Sequence, residues 1–367
     1  MTGSRPSAGI YHRHGDTTAA DVGMPVSEKK GLLDFSVSLN PLGVPDVIRD
    51  AWPDLLASIQ RYPTPDGRGI AQYYGQKYGI DASSVVPGNG SVELMYRCFA
   101  ALRFKRVAVI CPSFYDYENA VRTSGAQVER VYLNVDDGFR APTLQRLNAA
   151  LDRNDAIVIG NPNNPTGTLF ERGLLHTLAN NHPGKTLLVD EAFLPFVDDE
   201  LSFSLMPSVT SSANIIVFHS LTKIFAIPGI RVGAIVAAPQ TVARIRNVSP
   251  PWMCNSIAEC VAPMLLQCEN YIQETRALVF REMSILDDAV GRLKRFSLIR
   301  GAANFALVQL CDGMNLDWVL RHLFNAGILV RDCRNFEGLS KSSFRFAIRL
   351  SDDNQKLFAA LQRMDNG

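Results

Sequence analysis

No apolar run in this 367-residue chain reaches the roughly 18 residues that crossing a bilayer takes. The opening stretch, MTGSRPSAGIYHRHGDTT, has no apolar h-region, which predicts no secretory leader. Charge of one sign is also missing. The formal net charge is +1, which argues against a whole-chain role in nucleic-acid binding. The seven cysteines are odd in number and form no C-x-x-C pair, so reduced, buried thiols are expected rather than a disulfide framework. The six histidines show no zinc-ligand spacing; His12 and His14 are the only close pair, and two ligands do not make a metal site. A Walker-type G-x-x-x-x-G-K-[ST] is absent, and the nearest approach to a dinucleotide fingerprint lacks its third glycine. The reading is of a cytoplasmic protein with no membrane or nucleic-acid partner.

What is present is an ordinary globular composition, 47% hydrophobic and 20% charged. The length suggests two structural units. From about residue 85 to 240, short apolar β-rich runs occur at Val107–Cys111, Ala156–Ile159, Thr186–Val189, Ile215–Phe218 and Val232–Ala237. Helix-like stretches such as Val92–Leu102 and Glu171–Asn180 lie between some of them. Nearly uniform apolar strands predict a buried, mainly parallel sheet with helices on both faces. After Pro250 the character becomes α+β: a long helix from Ile257 to about Lys294, then strands and helices in turn to the end. The reading divides the chain into an arm, 1–44, packing with the smaller unit, a large domain, 45–245, and a small domain, 246–367.

Five segments carry chemistry. Ser220-Leu-Thr-Lys223 follows a predicted strand, with Pro228, Gly229, Arg231 and Gly233 just beyond. Two hydroxyls and a guanidinium suit a phosphate dianion, and a lysine whose pKa is depressed can form an imine with an aldehyde and act as a base. Asn161-Pro-Asn-Asn164-Pro-Thr-Gly167 follows another strand, at the sheet edge where ligands bind in open α/β folds. Asp190-Glu-Ala-Phe193 ends a third, placing a carboxylate where a pyridinium nitrogen could pair with it. Pro87-Gly-Asn-Gly90-Ser91 opens a helix, whose free N–H groups suit phosphate. Pro112-Ser-Phe114-Tyr-Asp-Tyr117 offers a ring to stack on a flat cofactor.

In that order these blocks resemble the aspartate-aminotransferase-type (fold-type I) pyridoxal-phosphate enzymes, from about Asp34 to the end. The resemblance implies an α/β fold with a seven-stranded-type, mainly parallel sheet in a large cofactor domain, plus a smaller α+β domain. It implies pyridoxal 5'-phosphate as cofactor, with Lys223 as its Schiff-base lysine and later proton donor. Asp190 would face the pyridine nitrogen, Asn164 the 3'-oxygen, and Phe114 would stack on the ring. Gly90, Ser91, Ser220, Thr222 and Arg231 would hold the phosphate. Tyr62, in Arg61-Tyr-Pro63, is similar to the tyrosine that reaches the neighbouring subunit's phosphate, which implies a homodimer.

Within that superfamily the chain is most similar to the L-threonine-O-3-phosphate decarboxylases of cobalamin synthesis, and next to the histidinol-phosphate aminotransferases. Leu33-Asp-Phe-Ser36, Leu39-Asn40-Pro-Leu-Gly43, Asp190-Glu-Ala-Phe193, Ala226-Ile-Pro-Gly229 and Arg345-Phe-Ala-Ile-Arg349 carry the first likeness. The aminotransferases usually have tyrosine where Phe193 stands. Departures are His14-Gly-Asp-Thr17 in place of His-Gly-Gly-Asn, and Ser38 in place of asparagine. By this resemblance Arg331 meets the substrate phosphate and Arg345 its carboxylate, with His14 and Asn40 as lesser candidates for the phosphate end. The implied reaction is decarboxylation of threonine phosphate, or serine phosphate; the alternative is transamination of the histidinol-phosphate type.

Overall fold

The structure, a computed structural model, describes residues 31–311 and 313–366. Its strands are β1 Leu33–Asp34, β2 Val85–Gly88, β3 Arg106–Cys111, β4 Gln127–Tyr132, β5 Ala156–Gly160, β6 Thr186–Asp190, β7 Ile215–Ser220 and β8 Gly233–Ala237, then β9 Phe296–Arg300, β10 Phe305–Leu310, β11 Ile328–Leu329, β12 Arg331–Asp332 and β13 Ser343–Ala347. β2 to β8 form one seven-stranded sheet in the order β2-β8-β7-β6-β5-β3-β4. Its pairs from β4 to β7 are parallel, and β8 runs antiparallel to both its neighbours.

Alternating residues of these strands feed two apolar layers, as buried parallel strands require. Ile157 and Ile159 of β5 enter one layer, Ala156 and Val158 the other. The same alternation sends Ala108 and Ile110 of β3 one way, Val107 and Val109 the other. The first layer continues into the C-terminal unit, where β9, β10, β12 and β13 make an antiparallel sheet in the order β12-β13-β10-β9. β1 pairs in parallel with β11, so the chain just before residue 35 is joined to that unit.

The long helix expected from Ile257 to about Lys294 is two helices, Ser256–Met264 and Glu269–Val290, separated by a short 3-10 turn. Pro263 lies in the last turn of the first; it has no N–H to give the carbonyl four residues back, and the chain tightens directly after it. The thiols also differ in part from expectation. Cys98, Cys111, Cys254, Cys268 and Cys333 are buried, but Cys260 is exposed and Cys311 is half-buried. Cys260 sits on the outward side of an amphipathic helix, where a small side chain meets no packing demand. Among the described residues no helix is long and apolar enough to cross a membrane.

Candidate active site

Strand direction brings the site together. β3 and β5 are neighbours, yet the chain leaves β3 for β4 on one side and continues from β5 to β6 on the other. A crevice opens at such a reversal, beyond the carboxyl ends of the strands. Phe114 follows β3, Asn164 follows β5, Asp190 ends β6 and Ser220 ends β7. All four line one cavity of about 420 Å³, as do Ser91, Thr222, Lys223 and Arg231. Arg331 of β12 and Arg345 of β13 close it from the antiparallel sheet, as directly paired residues of adjacent strands.

One end of the cavity is built for an anion. Gly90 caps the helix Ser91–Leu102 with φ 85°, a conformation that costs glycine nothing. A Cβ there would lie 2.4 Å from Arg231 Nη2, so only glycine lets the guanidinium approach the helix start. Arg231, itself at φ 58°, donates to the carbonyls of Pro228 and Asn89, both at 3.2 Å. Ser220 Oγ and Thr222 Oγ1 are 2.8 Å apart. Hydroxyls, a guanidinium and a helix N-terminus around one point form a dianion cup.

The other groups are strongly perturbed. Burial lowers the Lys223 amine to about 8, and Arg345 and Arg231 push the same way against Asp190. A larger share of neutral amine makes a better nucleophile at ordinary pH. Burial raises Asp190 to about 6, while donors from Tyr117 and Ala192 oppose it. Burial pushes Arg345 down to about 10. Its Nη1 donates to Asn164 Oδ1, its Nη2 to the Ser36 carbonyl at 3.2 Å, and its guanidinium lies 4.8 Å over the Phe305 ring. Its Nε has no partner, and among the described residues it makes no ion pair. Arg331 donates to Asn335 Oδ1 at 2.9 Å and stacks 5.2 Å over Phe336.

Two expected residues lie elsewhere. Asn40 does not line the cavity. Its amide donates to the Ile224 carbonyl at 2.7 Å and to Thr275 Oγ1 at 2.6 Å, and its oxygen accepts from Leu42 N. Its backbone N–H donates to the Lys223 carbonyl at 3.1 Å, so it braces the lysine loop rather than offering a hand to substrate. Tyr62 is 86% exposed on its own subunit and packs beside Trp252. His14 lies outside the described residues. Two further residues line the cavity without having been given a role of their own in the sequence: Tyr117, whose hydroxyl donates to Asp190 Oδ2 at 2.8 Å, and Phe336 under Arg331. Tyr117 was visible as one of three aromatics after β3; its spacing of three from Phe114, one helical turn, was the signal.

The residues fit pyridoxal phosphate. The cup suits a phosphate monoester, an acid at a strand end suits a pyridine nitrogen, and Asn164 suits a ring oxygen. Phe114 supplies a flat face and Lys223 an amine for an aldehyde. Gly90 is the part of the cradle that a Cβ would fill.

The comparisons with known proteins agree. Residues 30–361 match the family model for aminotransferase class I and II. A curated relative, the threonine-phosphate decarboxylase of Salmonella typhimurium, is 34% identical over 339 residues, covering 92% of each chain. Among solved structures, the L-threonine-O-3-phosphate decarboxylase of Porphyromonas gingivalis superposes with a TM-score of 0.82 at 25% identity, covering 91% of this chain and 99% of that one. The histidinol-phosphate aminotransferase of Clostridium acetobutylicum superposes with a TM-score of 0.85 at 28% identity, with the same coverage. The family model spans nearly the whole chain, and the sheet order and the lysine after β7 agree with it: the chain belongs to the aminotransferase class I and II family.

Proposed function

We propose that this enzyme decarboxylates a phosphorylated α-amino acid, L-threonine O-3-phosphate foremost, to (R)-1-amino-2-propanol phosphate and CO2. The observation that carries this reading is the arginine pair. Arg331 and Arg345 face each other across β12 and β13 and meet the same cavity. Threonine phosphate carries a phosphate and a carboxylate at once, one for each guanidinium. Histidinol phosphate has no carboxylate and would leave one buried guanidinium waiting for the keto-acid partner, whereas threonine phosphate meets both at once. Phe193 in place of a phenol and the 34% identity to the Salmonella decarboxylase support the same choice.

Pyridoxal phosphate, when bound, supplies an aldehyde for the substrate amine and a conjugated ring for the electron pair left at Cα. The chain decides which Cα bond breaks. Arg345 would hold the substrate carboxylate by its guanidinium and so select the bond from Cα to the carboxylate for cleavage. Asn164, its side-chain oxygen already accepting from Arg345, would offer its NH₂ to the ring oxygen. Asp190, as carboxylate, holds the proton on the ring nitrogen. Once CO2 has left, Lys223, whose amine lines the same cavity, would deliver the proton to Cα.

The partner is a second copy of the chain. Tyr62 and Trp252 are exposed side by side, and Trp52 and Ile59 are exposed on an apolar groove lined also by Ile257. Exposed aromatics in such number mark an interface. Tyr62 would reach the cofactor phosphate of the other subunit.

Incubation with L-threonine phosphate, with and without 2-oxoglutarate, tests the reaction. CO2 release that does not need the keto acid is expected. Glutamate formation without CO2 would establish transamination instead.

A further inference from the structure

We propose that Tyr117 is a positioning residue that acts on the cofactor through Asp190, holding that carboxylate in the form that keeps the ring nitrogen protonated. Its hydroxyl is 2.8 Å from Asp190 Oδ2, and Ala192 N donates to Oδ1 at 3.0 Å, so each carboxylate oxygen has one donor. Tyr117 is 2% exposed, and Asp190 is the one hydrogen-bond partner of its oxygen among the described residues. The contact spans separate elements: Tyr117 belongs to the helix Tyr115–Thr123 after β3, and Asp190 to the end of β6.

The strand between them is shaped to let the contact form. Gly160 of β5 is the register partner of Asp190. A Cβ at Gly160 would lie 3.1 Å from the Tyr117 oxygen and equally from Asn163 Cα and Oδ1, so the absence of a side chain leaves room for both the phenol and the Asn163 turn. The Tyr117 ring also stands edge-on to Phe114, centroids 5.6 Å apart at 82°. One side chain thus touches both the ring-stacking residue and the ring-nitrogen partner.

The chemistry follows from where a proton settles. Burial favours the neutral form of Asp190, and a donor to the carboxylate favours the charged form. The charged form pairs with a protonated ring nitrogen, whereas the neutral form donates its own proton to a bare one. Without the phenol, Asp190 gains proton affinity and draws the shared proton away from nitrogen. The ring then accepts electrons less well, and breaking any Cα bond slows. The inference rests on Asp190 facing the ring nitrogen and not on which amino acid is decarboxylated.

The test is the nitrogen-15 chemical shift of ring-labelled pyridoxal phosphate bound to wild type, Tyr117→Phe, Asp190→Asn and the double variant. Tyr117→Phe should move the shift toward the unprotonated value. It should also lower kcat on the order of tenfold with KM little changed, the mark of an interaction felt in the transition state. In the Asp190→Asn background the same change should add nothing. A shift in Tyr117→Phe equal to wild type, with Asp190→Asn displaced, overturns the inference alone. No displacement in Asp190→Asn overturns the cofactor placement, and the inference with it. Should Tyr117→Phe not fold, Gly160→Ala crowds the intact phenol and should move the shift the same way; an unchanged shift there also overturns the proposal.

Discussion

Arg345 donates through Nη1 to the side-chain oxygen of Asn164, joining the antiparallel sheet to the loop after β5. The bond fixes the Asn164 amide so that its NH₂ is the end left for the ring oxygen. It also leaves Arg345 buried beside a second guanidinium, Arg331, with Nε unmatched and no ion pair among the described residues. A buried guanidinium without an anion costs stability that a carboxylate ligand restores. Arg345→Met is therefore expected to raise the melting temperature of the cofactor-free protein. Arg345→Lys, which loses the planar fork, should lower kcat/KM for threonine phosphate by roughly 10²–10³-fold. Calorimetry and steady-state kinetics check the two halves. A wild-type protein that melts above Arg345→Met without ligand would contradict the first.

The Lys223 amine, lowered to about 8, sets the pH at which the cofactor-free enzyme captures pyridoxal phosphate. The neutral amine attacks the aldehyde, and the protonated amine does not. The capture rate, followed by visible absorbance, should rise with pH and level off above about 8 rather than near the 10.5 of a free lysine. Arg345 is one of the cations that depress the amine, so Arg345→Met should move the midpoint upward. A downward shift in that variant would mean that burial and charge have been assigned the wrong signs.

Much of this site was legible because its parts are local. Lys223, Asp190 and Asn164 each follow an almost wholly apolar strand, so their places at the sheet edge could be read from short windows. The strands that were missed are those without that signature. β4, QVERVY, is an edge strand whose charged and half-buried residues break the apolar run. β2, VVPG, is short and ends in the glycine loop. β9, FSLIR, has only Phe296 fully buried. Asn40 was misplaced for a different reason. Its neighbours suit a substrate site, but its side chain is consumed by contacts 184 and 235 residues away in sequence. Tyr117 likewise draws its role from a partner 73 residues distant.

Phe193 stands at the cavity wall, its ring edge-on to Phe305 with centroids 5.0 Å apart. Phe193→Tyr adds a phenol to the wall of the cavity that Asn164 also lines. A second donor to the ring oxygen favours its ionised form. The pH midpoint of the bound cofactor's visible band should then fall by roughly one unit, the size of one hydrogen bond to a charged group. Absorbance titration of the holoenzyme reads this directly. An unmoved midpoint would place the new hydroxyl out of reach of that oxygen.

Tyr62 offers the sharpest test of the proposed two-subunit site, because its own cavity does not contain it. Lys223→Ala removes the amine from one cavity, and Tyr62→Ala removes the phenol from the neighbour's. Each homodimer should be inactive or strongly weakened. Mixed after dissociation and reassociation, the two variants form heterodimers in which one cavity has Lys223 from one subunit and Tyr62 from the other. Half of a random mixture is heterodimer, and each heterodimer has one intact cavity of two, so about a quarter of wild-type activity should return. Were Tyr62 to serve its own subunit, each heterodimer would hold one untouched lysine beside a missing phenol, and mixing would restore nothing.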